Sequence, residues 1–273
     1  MKVINMDITK LFSDIGMQHY ENGEYEKALK YFNDGLEADS ESIFLLYNKA
    51  NCLLTMGESE EAYAIFRQVT EICKKMDKTE LILSIYASSL VALKDLDNVE
   101  AVLKDLLEIN PENLEALINY GQIYNDSCDY DNALKYFDKA LEIDGENEFA
   151  LTFKADVLFS MERYDESKEC MDRAFELSKD NAYLWYLKGL YESRVLSHYE
   201  LAVEYFDNAL DLNVDFQKCY FEKLIALILL GKTNEAKETF HKFEDLHPDD
   251  YDESMRAISD EIIEMMVSGY GGK

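Results

Sequence analysis

Three aspartates, Asp126, Asp129 and Asp131, form a group that could coordinate a metal ion. Alternating carboxylates resemble the start of a calcium-binding loop, but the glycine and the terminal bidentate glutamate of that loop are missing at their required spacing. The three residues also lie in a polar turn between two predicted helices, where Asp commonly caps helix ends. The sequence therefore predicts helix caps here and no metal site.

The four histidines are the other residues that acid–base or metal chemistry would use. They are His19, His198, His241 and His247. His241 and His247 are six residues apart, a spacing that does not place them on one helical face. The chain has no glycine-rich phosphate loop, no G-x-S-x-G and no H-E-x-x-H motif. We therefore predict no catalytic residue, no metal and no cofactor, and hence a protein that is not an enzyme.

Five cysteines are scattered along the chain without a C-x-x-C pair: Cys52, Cys73, Cys128, Cys170 and Cys219. Several fall on apolar helix stripes, where a thiol behaves as a small hydrophobe. Reduced cysteines of this kind predict a cytoplasmic protein. The apolar run from Leu224 to Leu230 is far shorter than the roughly 20 residues that span a bilayer, and the amino terminus lacks the apolar core of a signal peptide.

The net charge of -29 restricts the partners. Nucleic acid is bound by Lys and Arg that neutralise phosphates, so it is excluded as a partner. Anionic membrane surfaces are disfavoured for the same reason. The partner is expected to be a protein or peptide that is basic or apolar rather than acidic. An alternative interpretation is that acidic outer helix faces keep an extended molecule in solution.

A pattern of small and large apolar residues repeats along the chain at intervals of 34, 37, 34, 34, 35 and 34 residues. A small residue marks the repeat at Ala28, Ala62, Val99, Ala133, Ser167, Ala202 and Ala236. Four residues later come Phe32, Phe66, Leu103, Phe137, Met171, Phe206 and Phe240. Seven residues later come Gly35, Val69, Leu106, Ala140, Ala174, Ala209 and Phe243. This spacing lies on one face of a helix, so it predicts seven amphipathic helices.

A second series predicts another helix before each of these seven. Its small position holds Gly16, Ala50, Ala87, Gly121, Ala155, Gly189 and Leu224. Its large position holds Phe12, Leu46, Leu83, Leu117, Leu151, Trp185 and Tyr220. Small residues at the first of these positions let two helices approach closely. The sequence thus predicts helix pairs, as in the stretch from Leu114 to Asn147.

The paired pattern resembles the tetratricopeptide repeat family, whose 34-residue helix–turn–helix unit carries the same small and aromatic positions. The resemblance implies an all-α fold, a right-handed α-solenoid of about seven repeats with a C-terminal capping helix. The repeats are placed at 9–42, 43–76, 80–113, 114–147, 148–181, 182–216 and 217–250. Pro111 and Pro248 match the proline that ends a repeat in this family. Ser40, Lys74, Gly145, Lys179 and Val214 depart from it.

The remaining segments lie at the ends and between repeats. Residues 1–8 are expected to be a lead-in, 251–267 a capping helix that seals the last repeat, and 268–273 a flexible tail. Asp77 to Thr79 are an insertion between repeats, and the sixth repeat carries one extra residue near Arg194 to His198. Either irregularity could lengthen a helix or a turn locally.

The resemblance implies that the first helix of each repeat lines a concave face. Carrying the family's inward positions over to this sequence gives a candidate peptide-binding groove at Tyr47, Asn48, Asn51, Ser84, Ser88, Asn119, Gln122, Asn125, Phe149, Thr152, Asp156, Tyr183 and Tyr186. Amide side chains can donate to and accept from an extended peptide backbone. Aromatic side chains add rigid contact area. An alternative for any single Tyr or Phe is packing between neighbouring first helices.

Some family members clamp a C-terminal carboxylate with inward Lys and Arg. Here the corresponding positions hold Ser13, Met17, Asn48, Leu81 and Ile85, so an acidic peptide terminus is not expected as the ligand. The sequence predicts a non-catalytic scaffold for protein–protein interaction that binds an extended segment in its groove. The alternative is an assembly or oligomerisation module that acts through the ends or the convex face of the array. Neither the partner nor the oligomeric state is named by the sequence.

Overall fold

The computed structural model describes residues 2–246 together with residues 263, 264, 266, 268 and 269. The described residues form helices and turns, with no β-strand among them. They divide into two compact units, Met1–Ser127 (unit 1) and Cys128–Lys273 (unit 2). Most of the predicted capping helix, 251–267, and the tail from 270 onward lie outside the described residues.

Unit 1 contains seven described helices. They are α1 (Lys2–Glu21), α2 (Tyr25–Ala38), α3 (Ile43–Thr55), α4 (Ser59–Cys73), α5 (Glu80–Ala92), α6 (Leu96–Ile109) and α7 (Leu114–Asp126). Each helix packs against the next, and the odd-numbered helices also contact one another in order. We call odd-numbered helices the first helices and even-numbered helices the second helices. The lead-in predicted for residues 1–8 is helical from Lys2.

The described part of unit 2 also contains seven helices and one π-helical segment. They are α8 (Tyr130–Ile143), α9 (Glu148–Ser160), α10 (Tyr164–Leu177), α11 (Ala182–Leu190), the π segment (Tyr191–Val195), α12 (Tyr199–Leu212), α13 (Gln217–Leu229) and α14 (Thr233–Leu246). Each helix again packs on its neighbour in the chain, and α9 contacts α11. Ile263 is buried among the apolar core residues of this unit.

Polar side chains at the repeat boundaries start the first helices. Asn113, Asn147 and Asn181 each accept a hydrogen bond from the backbone N–H three residues later, at 2.9, 3.0 and 3.1 Å. This satisfies one of the N–H groups that a helix start leaves unpaired. Asp129 caps α8 in the same way by accepting from Asn132 N. The cap predicted at Asp129 is therefore confirmed.

The core of both units is formed by three sets of second-helix residues: those at the small position of the repeat, four residues later and seven residues later. All of them are buried, and Phe32, Phe66, Phe137 and Phe206 are 0% exposed. Ser167 is a polar residue at the small position, which holds Ala or Val in the other repeats. Its burial is tolerated because its hydroxyl donates to Ala155 O of α9 at 2.7 Å. The predicted core face of these helices is therefore confirmed.

The turn between the two helices of each pair requires a left-handed backbone at one position. Positive φ angles occur at Gly23, Gly57, Lys94, Cys128, Glu162, Ser197 and Gly231, which follow the repeat intervals of the core series. Glycine adopts this conformation without strain, whereas an L side chain is disfavoured by about 1–2 kcal/mol. Four of the seven turns therefore carry a strained residue.

Glu162→Gly is expected to raise the free energy of unfolding by up to about 1 kcal/mol, because relief of strain exceeds the added chain entropy. Glu162 is exposed at φ 60°. The matched control is Glu169→Gly, an exposed position within α10, which should lose about 1 kcal/mol. Denaturant titration followed by circular dichroism measures both. Equal losses in the two variants would contradict the assignment of strain to Glu162.

The extra residue of the sixth repeat is accommodated in the π segment, Tyr191–Val195. A π turn holds one more residue than an α turn, so an insertion is absorbed without ending the helix. The Asp77 to Thr79 insertion lengthens the turn between α4 and α5, and Thr79 caps α5 by accepting from Ile82 N.

Four of the five cysteines are buried, and Cys128 is exposed. Burial raises the pKa of Cys73 to about 11 and that of Cys219 to about 12. Both thiols therefore stay protonated near neutral pH and act as small apolar groups. Within the described residues, no helix has the length and apolar character required to span a membrane.

Candidate functional site

The predicted site residues of unit 1 lie on three consecutive first helices. They are Tyr47, Asn48 and Asn51 on α3, Ser84 and Ser88 on α5, and Asn119, Gln122 and Asn125 on α7. All are half-buried. Since α3 contacts α5 and α5 contacts α7, the structure places these side chains on a connected row of helices. We call this row, together with α1, the first-helix face of unit 1.

Hydrogen bonds link neighbouring helices across this face. Asn48 Nδ2 donates to Ser13 Oγ of α1 at 3.0 Å. Ser88 Oγ of α5 can donate its single hydrogen to the Glu115 carboxylate of α7 or to Ser84 O of its own helix. The amide nitrogen of Asn48 is therefore already engaged within the protein. Because a substitution at Asn48 would also disturb helix packing, it is a poor probe of ligand binding.

Three other amides on the face are available to a ligand. The side chains of Asn51, Asn119 and Gln122 are half-buried and make no hydrogen bond to the described part of the chain. Each amide offers two N–H donors and an acceptor oxygen. This is the hydrogen-bonding capacity that an extended peptide backbone requires.

A surface cavity of about 270 Å³ lies between α1 and α3. It is lined by Met17, Tyr20, Asn48, Asn51, Leu54 and Thr55. The Tyr20 and Thr55 hydroxyls are hydrogen-bonded to each other at 2.9 Å. Two amides, two hydroxyls and two apolar side chains line the cavity, and none of these groups carries a formal charge at neutral pH.

Sequence reasoning missed four of these lining residues. Leu54 and Thr55 occupy the same positions in their repeat as Asn125 and Asp126 do in the fourth. The family register therefore contained the signal for them. Met17 and Tyr20 occupy the positions in the first repeat that Asn51 and Leu54 occupy in the second. The register contained the signal for them too, but no residue of the first repeat was included in the predicted groove.

The five predicted residues of unit 2 have different environments. Phe149 is 57% exposed on α9, and Asp156 of the same helix is half-buried. Tyr183 of α11 packs between Phe153 and Phe216, with ring centroids 5.9 and 6.1 Å away. Packing between first helices, the alternative interpretation for an aromatic residue, thus describes Tyr183.

Thr152 and Tyr186 lie too deep to contact a ligand. Thr152 is 0% exposed, and Tyr186 is 7% exposed between the rings of Phe206 and Phe216. Burial raises the pKa of Tyr186 above the usual tyrosine range. Neighbouring helices cover both positions. A residue's position within its repeat does not predict this, because it says nothing about how the helices pack. We therefore leave both out of the proposed site.

Lysines of the first helices in unit 2 are largely neutralised. Lys154, Lys188 and Lys223 pair with Asp138, Asp172 and Asp207 of the second helices at 2.6, 3.0 and 2.6 Å. The three lysine side chains are 16–26% exposed. Because these cations are paired, carboxylates dominate the charge offered to a partner, which agrees with the net charge of -29.

The described histidines are dispersed. His19 lies 2.6 Å from the Glu24 carboxylate, and His198 lies 3.0 Å from that of Glu192. His241 lies 3.0 Å from the Glu244 carboxylate, whereas His247 is outside the described residues. No cluster of His, Cys, Asp and Glu suited to a metal ion occurs within the described part of the chain.

Family models match most of the chain. The model of the tetratricopeptide repeat protein 21 C-terminal ARM domain matches residues 4–155, which is more than half of the sequence. A tetratricopeptide repeat model matches residues 126–191. Together the two models cover the chain from α1 into the π segment.

Individual proteins of this family are similar to the chain. The TPR repeat-containing protein YsoA of Bacillus subtilis (strain 168) is 29% identical over 100 residues, 35% of this chain and 28% of YsoA. The chain therefore matches under a third of the length of that relative. A tetratricopeptide repeat protein from Parabacteroides merdae ATCC 43184 superposes with a TM-score of 0.63 at 17% identity, covering 80% of this chain and 84% of that protein.

The APC/C hetero-tetramer Cut9–Hcn1 contains a chain that also superposes with a TM-score of 0.63, at 14% identity. The superposition covers 83% of this chain and 45% of that chain. Identities this low establish a common fold, and they agree with the helix pairs described above. The predicted all-α repeat fold is confirmed. The chain belongs to the tetratricopeptide repeat family.

Proposed function

We propose that the protein is a scaffold that binds an extended segment of a partner protein across the first-helix face of unit 1. Tetratricopeptide repeats generally form non-catalytic scaffolds for protein–protein interaction. The observation that carries the finer proposal is the set of half-buried amides without internal partners, Asn51, Asn119 and Gln122. They offer hydrogen bonds to a backbone that crosses α3 and α7.

The cavity between α1 and α3 supports a side-chain preference. Met17 and Leu54 supply apolar walls, while Asn48 and Asn51 supply amide groups. An uncharged side chain of the ligand would bury apolar surface there without losing the hydration of a charge. The excess of carboxylates elsewhere favours basic residues flanking that side chain. The proposed ligand is therefore a basic segment with one apolar anchor.

The double substitution Asn51→Ala with Asn119→Ala is expected to weaken binding by about tenfold or more, since each amide hydrogen bond contributes about 0.5–1.5 kcal/mol. Peptides selected from a random display library on the full chain are the probes, and calorimetry measures their affinity. The melting temperature should stay near that of the native protein, because neither amide bonds to the described chain.

Gln68→Ala is the matched control, because Gln68 is an exposed amide on the second helix α4 of the same unit. It should leave the affinity unchanged. Equal binding by the native chain and the double variant would refute the proposed site. Selection of acidic peptides would contradict the proposed ligand chemistry.

Assembly through the second helices is the alternative function. In unit 2, Ile143, Leu177, Leu212 and Leu246 are the last residues of α8, α10, α12 and α14, and they are 36–45% exposed. Repeated apolar exposure at one register position is typical of a surface that meets another protein. Light scattering during size-exclusion chromatography separates the two functions. A defined oligomer that survives dilution would favour assembly.

A further inference from the structure

A second cavity, of about 240 Å³, lies in unit 2 and is bordered by α10, the π segment and α12. Sites for drug-sized ligands have volumes of roughly 300–1,000 Å³, so this cavity has room for one small molecule. Two cations, two anions and two phenols line it, and they belong to Lys168, Lys188, Asp172, Glu192, Tyr191 and Tyr205. The formal charges of the lining cancel, which favours a ligand without net charge.

The two lysines keep hydrogen-bond donors that the protein does not use. Lys168 and Lys188 both pair with Asp172, and Lys188 Nζ lies 3.0 Å from Asp172 Oδ1. Lys188 also lies over the Phe175 ring, 4.8 Å from its centroid, which helps to fix the ammonium group. Each ammonium group has three N–H donors. Since one carboxylate is shared by both lysines, further donors remain for a ligand with acceptor oxygens.

Glu192 of the π segment supplies an acceptor. Its Oε2 atom lies 3.0 Å from His198 Nδ1, and its side chain is 16% exposed. Its Oε1 atom makes no hydrogen bond to the described residues. Hydrogen bonds between charged groups are shorter and about twice as strong as those between neutral groups. The free oxygen therefore favours a cationic donor, such as an ammonium group.

Tyr191 provides an independent sign of a ligand. The residue is 7% exposed and lines the cavity. Its hydroxyl makes no hydrogen bond within the described part of the chain, yet it keeps accessible surface, whereas Thr152 Oγ1 is fully enclosed. A molecule in the cavity can therefore reach this hydroxyl. Buried polar groups of folded proteins are normally hydrogen-bonded, so the unpaired O–H indicates a donor that a ligand would complete.

The sixth repeat is the only one with an aromatic residue at this position, two residues after the small position of the first helix. The other repeats have Gln18, Cys52, Ser89, Ile123, Val157 and Ala226 there. A small or apolar residue is therefore sufficient for the packing of a first helix. Tyr191 also begins the π segment that holds the extra residue of this repeat. Such segments occur frequently at functional sites.

We propose that this cavity binds a free α-amino acid in its zwitterionic form. The ligand carboxylate accepts from the two lysines and from the Tyr191 hydroxyl, and its ammonium group donates to Glu192 Oε1. The zwitterion has one charge of each sign and no net charge, as the balanced lining requires. Met171 also lines the cavity and offers apolar contact to a ligand side chain. This activity goes beyond the scaffold function and uses none of the residues proposed for it.

The test titrates the isotope-labelled full chain with each of the common L-amino acids separately and follows backbone amide resonances by NMR. At least one amino acid should cause saturable shifts confined to α10, α11, the π segment and α12. Its N-acetyl derivative lacks the ammonium group and its carboxamide lacks the carboxylate, so each should bind at least tenfold more weakly. No shifts with any amino acid, shifts elsewhere in the chain, or undiminished binding of either derivative would overturn the proposal.

Three variants complete the experiment. Tyr191→Phe keeps the ring and should weaken amino-acid binding about tenfold, as should Glu192→Gln. Glu169→Gln removes the same charge from an exposed position of α10 outside the cavity, and its affinity should be unchanged. The amide spectrum of each free variant shows whether it is folded. Undiminished binding by folded Tyr191→Phe and folded Glu192→Gln would refute the site.

Discussion

Phe206→Ala is expected to lower the free energy of unfolding by about 3–5 kcal/mol. Phe206 is 0% exposed in the core of unit 2. Its ring lies 6.1 Å from that of Tyr186, centroid to centroid, and beside Gly189. Because a glycine has no side chain that could move into the space, the cavity left by the ring stays open.

Chemical denaturation followed by circular dichroism measures this loss. Hydrogen exchange of the α11 and α12 amides should accompany it, since repeat arrays need not unfold in a single step. Phe149→Ala is the control, because Phe149 is 57% exposed on α9. It should change stability by no more than about 0.5 kcal/mol. A similar loss in both variants would contradict the central position of Phe206 in the core.

Gly189→Ala is expected to destabilise unit 2 by about 1–3 kcal/mol, although alanine normally favours a helix over glycine by about 1 kcal/mol. A Cβ atom at Gly189 would lie 2.4 Å from Phe206 Cε1 and 2.6 Å from Cδ1. These distances are far inside van der Waals contact. Since the ring is fully buried, it has no free volume into which it could move.

Gly145→Ala is the matched control, because the nearest atom to its added Cβ, Leu141 O, is 3.6 Å away. That variant should be neutral or gain up to about 1 kcal/mol from a less flexible unfolded chain. Combining Gly189→Ala with Phe206→Leu should cost less than the sum of the single changes, because the smaller side chain relieves the overlap. Strict additivity in denaturation experiments would refute the contact between these two positions.

The sequence predicted that α11 and α12 approach each other closely, but it did not give the distances between their atoms. The sequence placed a small residue at Gly189 and a large one at Phe206, each in register with the other repeats. The spacing is a local property of a helix, so it can be read from the chain. The 2.4 Å that would separate a Cβ atom at Gly189 from Phe206 Cε1 depends on how closely the helices pack, and only the structure gives it.

For the candidate binding residues, the sequence predicted the positions but not the surroundings of the side chains. Asn51 and Thr152 both occupy inward positions of the family register, yet Asn51 keeps a free amide whereas Thr152 is fully buried. Asn48 was selected for its amide, but the structure shows that amide donating to Ser13. Register predicts the direction of a side chain from its own helix. Exposure and hydrogen bonding depend on neighbouring helices, which lie some 35 residues away in the chain.

By itself, the sequence determined the helix pairs, their repeat length, the buried series and the family. Each of these follows from short-range periodicity, because residues three or four apart share one helical face. Only the tertiary structure decided which polar groups remain without partners. The free amide of Asn51 and the buried hydroxyl of Thr152 have different surroundings because residues distant in sequence pack around them differently. The function proposed for this protein rests on the free amides, because helix packing requires the apolar register positions but not these polar atoms.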